Sequence, residues 1–475
     1  FIEIDPENKV PEQGVDFTNK NNMYQPVVGA YSKVRTQGMH WCNALLMFTR
    51  DGDVWSGRTD DQGDAVTFGR KFNYNNSFWA LNQVWMNFYD IIRITNAALQ
   101  SLDSYAEHLA AGSEDYKTYE SYCGEVRTIR AWAYYCLVTN FGPTVIYRDN
   151  LQTDFRRSTV DAVYNYMLED LNYAIGKLPR MRPNQMEHKG AVTAFTAQAL
   201  AARVYLLKGD YAQVETLTDD IIKNGGFRLY DDFYQLFKIP GKLCDESLFE
   251  CQVTDYGNGS GDYLGVDQWF NFQGPNMAEK YVEVVNADGT ISYKQAEGAK
   301  SIGGWNFIGY EPEFVAWAEA RGEGVRAETS FLKALSKTRE GWQVGPTSAT
   351  KTDCWNGKGY LPYNQMTLPR TTYGANNNVR IIRYAEVLLN YAEAKAELGS
   401  LSPDDLNITV NEIRSRVGMP ALTMRDLDKQ PDWYLSSEEY GYPNVTGSNE
   451  IVNAILEIRR ERTVELIQEG FRLQD

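Results

Sequence analysis

Read from Arg380 to Gly399, the sequence is RIIRYAEVLLNYAEAKAELG, and this stretch decides the fold of the chain. Alanine and tyrosine recur from Ile381 to Leu398, and the glycine that follows is a typical helix stop. Small alanine side chains let a neighbouring helix approach closely. A shorter helix is expected next, from Val410 to Gly418. We therefore predict a helical hairpin of tetratricopeptide type in this part of the chain.

The same design occurs earlier in the chain. Ala191 to Leu207 is rich in alanine, and Gly209-Asp210-Tyr211 turns the chain into a second helix that ends at Asn224. Helical periodicity and helix start and stop signals predict three more helices: Phe78 to Leu102, Tyr119 to Phe141, and one that follows a capping box of Ser158 and Asp161 and is closed by Pro179. The predicted fold class is therefore mainly α, with a tetratricopeptide-like helical repeat scaffold.

The helical period fades between Cys251 and Asn378, where glycine, asparagine, aspartate and aromatic residues are abundant. A shorter stretch of the same character runs from Asp51 to Asn76. Irregular segments of this length in a compact protein are usually functional. We therefore predict a single domain over residues 1–475, with the scaffold at about 20–250 and 379–475. A large irregular, loop-rich and aromatic-rich insertion at about 251–378 is expected to bind the ligand.

The composition excludes several classes of function. A formal net charge of -16 argues against a nucleic-acid partner, because such proteins need clustered lysine and arginine. The six cysteines form no Cys-x-x-Cys pair, and the three histidines lie far apart without a nucleophile beside them, so we expect no metal and no cofactor. Cys123 and Cys136 lie in helical patterns and are expected to be buried. A glycoside hydrolase needs two facing carboxylates, and no motif places such a pair.

Several motifs resemble one known family. The stretch from Arg380 to Gly399 resembles the signature helix of the SusD/RagB family, and NEIRSRVG, from Asn411 to Gly418, resembles the helix that follows it. The pairs Glu461-Arg462 and Glu465-Leu466 and the run from Glu469 to Asp475 match the C-terminal pattern of the family. Other segments upstream follow in the family's order, so the resemblance extends over nearly the whole chain.

The resemblance implies a non-catalytic, cell-surface protein on the outer membrane. Family members begin with a lipidated cysteine, so a lipid anchor upstream of Phe1 is expected. They cap a SusC-like TonB-dependent transporter and deliver oligosaccharides or, in some cases, peptides. The expected partners are an oligosaccharide, that transporter, and surface glycan-binding or glycoside hydrolase lipoproteins. The alternatives are the peptide-binding lid of a RagAB-type importer and, less favoured, a glycoside hydrolase or a generic repeat scaffold for protein partners.

A glycan site needs flat aromatic rings for the C–H face of the sugar and polar side chains for its hydroxyls. The first loop region supplies Asn43, Asp53, Trp55 and Arg58. By its order in the chain, Trp55 lies where the family has its glycan-stacking tryptophan. In the middle region, Tyr263 and Trp305 belong to segments that resemble the second aromatic segment of the family, on the opposite side of the ligand.

The remaining tryptophans fall into two groups. Trp269, Trp342 and Trp355 lie in the middle region and are weaker ligand candidates. Trp79, Trp85 and Trp132 lie on predicted helices at core spacing and are expected to be buried.

Overall fold

The structure of the chain is a computed structural model that describes residues 15–50, 54–56, 75, 77–253, 272, 274–306, 308–346, 353–365, 377–427, 434 and 450–471. Helices dominate it, as predicted. In chain order they are α1 (Gln25–Lys33), α2 (Trp41–Phe48), α3 (Trp79–Ala106), α4 (Glu114–Phe141), α5 (Val160–Lys177), α6 (Ala194–Lys208), α7 (Tyr211–Asn224), α8 (Phe233–Leu236), α9 (Pro312–Ala320), α10 (Val325–Ser330), α11 (Tyr384–Glu397), α12 (Pro403–Ile408), α13 (Val410–Arg416), α14 (Met424–Leu427) and α15 (Glu450–Leu466).

The described strands are short and form small antiparallel sheets. In chain order they are β1 (Val54–Ser56), β2 (Ser247–Cys251), β3 (Met277–Ala278), β4 (Tyr281–Val285), β5 (Ile291–Gln295), β6 (Ser301–Ile302), β7 (Ile308–Tyr310), β8 (Phe331–Lys333), β9 (Gln343–Val344), β10 (Cys354–Asn356) and β11 (Val379–Arg383). The sheet orders are β1-β7-β10-β8, β11-β2, β6-β3-β9 and β4-β5.

The middle region is more regular than the sequence predicts. Most of its strands have two or three residues, too few for an alternating pattern to be visible. The helices α9 and α10 also lie there. Trp317 of α9 is buried and stacks on Tyr434, with ring centroids 4.7 Å apart. The insertion therefore has more local order than its sequence indicates, because side-chain packing and strand pairing order much of it.

Helix boundaries follow the sequence signals closely. The predicted helices at 78–102 and 119–141 are confirmed as α3 and α4, each somewhat longer than expected. The start of α5 differs by one residue, since Thr159 rather than Ser158 is the N-cap. The Thr159 hydroxyl accepts a hydrogen bond from the Ala162 amide at 3.2 Å.

An arginine clamps the three long helices α3, α4 and α5 together. Arg130 of α4 donates to both carboxylate oxygens of Asp170 on α5, each at 2.8 Å. It also donates to the Asn96 side-chain oxygen of α3 at 2.7 Å. Bidentate arginine-carboxylate pairs fix direction as well as distance. The clamp therefore sets how these helices lie against one another.

The predicted helical hairpin of α6 and α7 is confirmed. Gly209 adopts a left-handed conformation at φ 69° between the two helices, and the Asp210 side chain caps α7. Arg203 of α6 donates to both carboxylate oxygens of Glu386 on α11, at 2.5 and 2.6 Å. This ion pair joins two helices that are far apart in the sequence.

The stretch that opens with Arg380 is not helical from its start. Val379–Arg383 is strand β11, which pairs antiparallel with β2, and α11 begins only at Tyr384. The adjacent isoleucines Ile381 and Ile382 are β-branched and favour a strand. The prediction of a helix from residue 381 was therefore wrong by three residues at its N-terminal end.

A buried ion network lies where β2, β11, α13 and α15 meet. Its members are Glu246, Lys358, Arg383, Arg416, Glu465 and Glu469. Arg383 lies at its centre. The Nη1 atom of Arg383 lies 2.9 Å from Oε1 of Glu246 and 2.6 Å from Oε1 of Glu465. Its Nε lies 2.6 Å from Glu469. Charges buried this deeply are tolerated only when they are paired.

Three further cations, Arg416, Lys358 and Arg326, contact the carboxylates of the ion network. Arg416 contacts Glu465 and lies 3.0 Å from Glu246, while Lys358 Nζ lies 2.7 Å from Glu469. Burial opposes ionisation of Glu465, but Arg416 and Arg383 lower its pKa to about 2. The carboxylate therefore stays charged inside the protein.

A second buried acid has a different environment. Glu125 of α4 accepts hydrogen bonds from the hydroxyls of Tyr31 at 2.8 Å and Tyr24 at 3.2 Å, which ties α4 to α1. Burial raises its pKa to about 8, although the two hydroxyl donors favour the charged form. This carboxyl group therefore holds its proton at neutral pH more strongly than an ordinary glutamate.

All six cysteines are described, and all are free thiols. Cys123 and Cys136 are buried in α4, as predicted, and burial raises the pKa of each thiol to about 12. In the described part of the chain, no helix is both long enough and apolar enough to cross a membrane.

Replacing the central arginine of the ion network tests its role. Arg383→Met leaves the carboxylates of Glu246, Glu465 and Glu469 buried without this partner, so we expect the free energy of unfolding to fall by about 3–5 kcal/mol. Urea denaturation followed by circular dichroism measures this. The control is Lys117→Met, which removes an exposed ion pair with Glu114 and should cost at most about 1 kcal/mol. Equal losses in the two variants would contradict the proposed role.

The raised pKa of Glu125 predicts a pH dependence of stability. The folded protein holds a proton that the unfolded chain releases above pH 4.5, so this stabilisation is present at low pH and is lost as the pH rises to about 8. We expect Glu125→Gln to weaken the fall in melting temperature between those two pH values. The exposed Glu107→Gln is the control and should reproduce the wild-type profile. A profile of Glu125→Gln identical to wild type would refute the prediction.

Candidate functional site

Two helices begin with tryptophans that lie side by side. Trp41 is the first residue of α2, after His40, whose Nδ1 accepts a hydrogen bond from the Cys42 amide at 3.2 Å. Trp79 is the first residue of α3. The two rings have centroids 5.4 Å apart and planes inclined at 53°. Both helices therefore present an aromatic ring at the same end.

A third tryptophan comes from the middle region. The Trp305 ring lies 6.0 Å from that of Trp41, at an interplanar angle of 81°. The buried ring of Phe272 lies beside them, 6.2 Å from Trp41. We call the side chains of Trp41, Trp79 and Trp305 the aromatic surface. It joins the N-terminal helices to the middle region.

The backbone around Trp305 explains its position. A Cβ atom on Gly304 would lie 2.2 Å from the Pro275 carbonyl oxygen, so only glycine permits this close approach. On the other side, Asn306 is left-handed at φ 57°, and its side-chain oxygen accepts a hydrogen bond from the Asn276 amide at 2.7 Å. The chain is thus held on both sides of the tryptophan.

The aromatic surface is open to solvent. Trp79 is 50% exposed, and Trp41 and Trp305 are half-buried. Asn82, one helical turn after Trp79, is also exposed. Large exposed aromatic groups with polar neighbours are typical of binding sites. The arrangement can offer apolar ring faces and hydrogen-bonding groups to the same ligand.

Strand pairing brings together the two regions predicted to hold the ligand. β1 pairs antiparallel with β7, and Trp55 is aligned with Gly309, four residues after Trp305. The structure describes the backbone of Trp55 but not its side chain. The other predicted contacts Asp53, Arg58, Tyr263 and Trp269 lie outside the described residues.

Asn43 was predicted to contact the ligand, but its side chain is buried. Its side chain is 1% exposed. The amide nitrogen donates to the carbonyls of Gln37 and Gly38, each at 2.7 Å, and the amide oxygen accepts from Asn87 of α3 at 3.3 Å. Asn43 therefore lies inside the protein and fixes α2 against α3 beneath the aromatic surface.

Sequence reasoning misjudged several tryptophans. Trp79 was expected in the core and is exposed at the first turn of α3. Trp132 is buried, as predicted, whereas Trp85 is only half-buried and packs against the core. Trp342 and Trp355, the weaker ligand candidates, are both buried. Trp41 was missed altogether. A sequence signal for Trp41 was available. Phe78-Trp79 lies at the start of a predicted helix, and His40-Trp41 is a similar aromatic pair at the start of α2.

Comparison with known families gives two matches. A model described as "SusD family" matches residues 255–475, and one described as "Starch-binding associating with outer membrane" matches residues 1–206. A curated relative, a SusD-like protein of Bacteroides ovatus, is 23% identical over 385 residues, covering 74% of this chain and 62% of the relative. The chain thus spans less than two thirds of the length of that relative.

Solved structures share the fold. A laminarin binding SusD-like protein is 22% identical with a TM-score of 0.72, covering 95% of this chain and 89% of that one. Surface glycan-binding protein A from Bacteroides thetaiotaomicron, in complex with laminarihexaose, is 20% identical with a TM-score of 0.67, covering 95% of this chain and 88% of that one. The two family models account for nearly the whole chain between them, and with the shared fold they show that this protein belongs to the SusD family.

Proposed function

We propose that this protein captures oligosaccharides on the aromatic surface and does not cleave them. The observation that carries the proposal is the half-exposed ring of Trp79 in contact with Trp41, whose ring also lies beside that of Trp305. A contiguous exposed group of aromatic rings often marks a ligand-binding site. Sugar rings have an apolar C–H face that stacks on indole, so a glycan is a suitable ligand.

The angles between the rings favour a chain over a single sugar. Planes inclined at 53° and 81° face different directions, so one flat ring cannot stack on all three. Successive units of a bent oligosaccharide can each meet one indole. Exposed amides at Asn82 and Asn276 can accept and donate hydrogen bonds at the edges of the surface.

The remaining sequence predictions support the same proposal. In it, the helices at residues 20–250 and 379–475 form the scaffold, and the insertion at 251–378 supplies Trp305, one of the three tryptophans of the site. Trp55 lies on the strand that borders it. The glycan-binding names of two structural relatives and the starch-binding name of one family model agree with a sugar ligand.

We further propose that the protein acts at the cell surface. A lipid anchor would hold it on the outer membrane, where it would pass the bound glycan to a SusC-like TonB-dependent transporter. The name of the family model that matches residues 1–206 supports association with the outer membrane. A shallow site buries little surface per sugar, so binding should be modest and release to the transporter easy.

Titration calorimetry tests glycan capture. The ligands are laminarihexaose, maltohexaose and cellohexaose, with mixed peptides as the alternative class. We expect at least one hexasaccharide to bind, and Trp79→Ala and Trp305→Ala each to weaken it by about 1–3 kcal/mol, because each removes a stacking face at the centre of the site. The matched control is Phe155→Ala, an exposed aromatic residue outside the aromatic surface, which should bind like wild type.

Other outcomes separate the parts of the proposal. If a glycan binds and neither tryptophan variant weakens it, the aromatic surface is not the site. Binding of peptides alone would assign the chain to the peptide-binding alternative. Appearance of shorter sugars after prolonged incubation, detected by chromatography, would contradict the non-catalytic role.

A further inference from the structure

A second concave site lies away from the aromatic surface. It is a cavity of about 320 Å³ between α1, the π-helical turn Val34–Gly38, the loop at 188–191 and the end of β2. Small-molecule sites usually have volumes of roughly 300–1,000 Å³, so this cavity can hold a small ligand. Its walls include Tyr24, Arg35, His188, Lys189, Glu250 and Gln252.

Arg35 is the unusual group in this cavity. Its Nε–H is buried and has no hydrogen-bond acceptor, and no carboxylate among the described residues forms an ion pair with its guanidinium. A buried donor without an acceptor is unfavourable, and a ligand that supplies the acceptor relieves that cost. Arg35 lies in the π-helical turn, a rare conformation that is frequent at functional sites.

The acid in the cavity wall does not neutralise Arg35. The carboxylate of Glu250 accepts hydrogen bonds from the Leu243 amide at 3.1 Å and from the Asn378 side chain at 2.7 Å, and it also accepts from the Ser247 hydroxyl. These donors hold the carboxylate in its place. Among the described residues the guanidinium of Arg35 therefore has no ion-pair partner, in a protein whose net charge is -16.

The other walls suit a small polar anion. The rings of Tyr24 and His188 stack in parallel, with centroids 3.6 Å apart, and form one side. The Gln252 amide nitrogen donates to the Lys189 carbonyl at 2.6 Å, while the Lys189 ammonium donates to the Asn184 carbonyl at 2.9 Å and has two further N–H groups. His188 and Lys189 are exposed and lie where the cavity opens to solvent.

We propose that this cavity binds a small oxyanion, a carboxylate or a phosphate, on the guanidinium of Arg35. The planar fork of an arginine matches two oxygens of such an anion, and Lys189 adds a second positive charge at the opening. The site is independent of the aromatic surface. It gives the protein a second ligand, which could be an acidic sugar or a free phosphate.

Thermal unfolding of the intact chain tests the site. The probes are sodium phosphate and sodium glucuronate, with glucose and sodium chloride at equal ionic strength as controls for the sugar ring and for salt. We expect one or both oxyanions to raise the melting temperature in a saturable way, with glucose and chloride having no such effect. Arg35→Gln should weaken the apparent affinity by about tenfold or more.

Variants separate this proposal from a structural role and from the glycan site. Arg93→Gln, an exposed arginine on α3, and Trp79→Ala should both keep the wild-type response. Arg35→Lys keeps the positive charge but lacks the planar guanidinium, so its response to the oxyanion should be reduced. This variant keeps the test valid if circular dichroism shows that Arg35→Gln does not fold. A response to phosphate alone or to glucuronate alone identifies the anion. No saturable response to either probe, an equal response to chloride, or an undiminished response in both Arg35 variants overturns the assignment.

Discussion

The pairing of buried charges around Arg383 is the constraint on which the rest of the structure depends. The Arg383 guanidinium contacts three carboxylates and cannot move without leaving buried charges unpaired or exposing them to solvent. The elements β2, β11, α13 and α15 must therefore keep one arrangement. Four members of the ion network, Arg383, Arg416, Glu465 and Glu469, lie in the motifs that resemble the SusD/RagB family, whereas Glu246 and Lys358 lie outside them. The family pattern therefore has a direct physical meaning in this chain: it supplies two of the cations and two of the carboxylates of the buried ion network.

The same ion network links the scaffold to the ligand-binding side. Lys358 donates to Glu469 and to the carbonyls of Glu465 and Ile467, at 2.7 to 3.0 Å. It follows β10, which pairs with β7, and Trp305 lies just before β7. The insertion is thus tied to the C-terminal helix by Lys358 and by the ion pairs of Arg326 with Glu461 and of Arg321 with Glu457. Through β1 and β7 it is joined to the N-terminal part of the chain. The aromatic surface forms where these connections meet.

Sequence reasoning was most successful where a pattern is long. The 28 residues of α4 contain enough turns for helical periodicity to be clear, whereas the five residues of β11 do not. Burial was harder to predict, because it depends on which elements end up adjacent. Trp79 and Asn43 show this: Trp79 lies at core spacing yet faces solvent, and Asn43 looked like a loop ligand yet holds two helices together. Trp305 was identified through resemblance rather than periodicity.

The most direct test of the central claim is an experimental structure of the protein with a bound oligosaccharide. We expect sugar rings stacked on Trp79 and Trp305, with successive units facing differently inclined indoles. A glycan bound elsewhere, with both of these rings exposed to solvent, would contradict it.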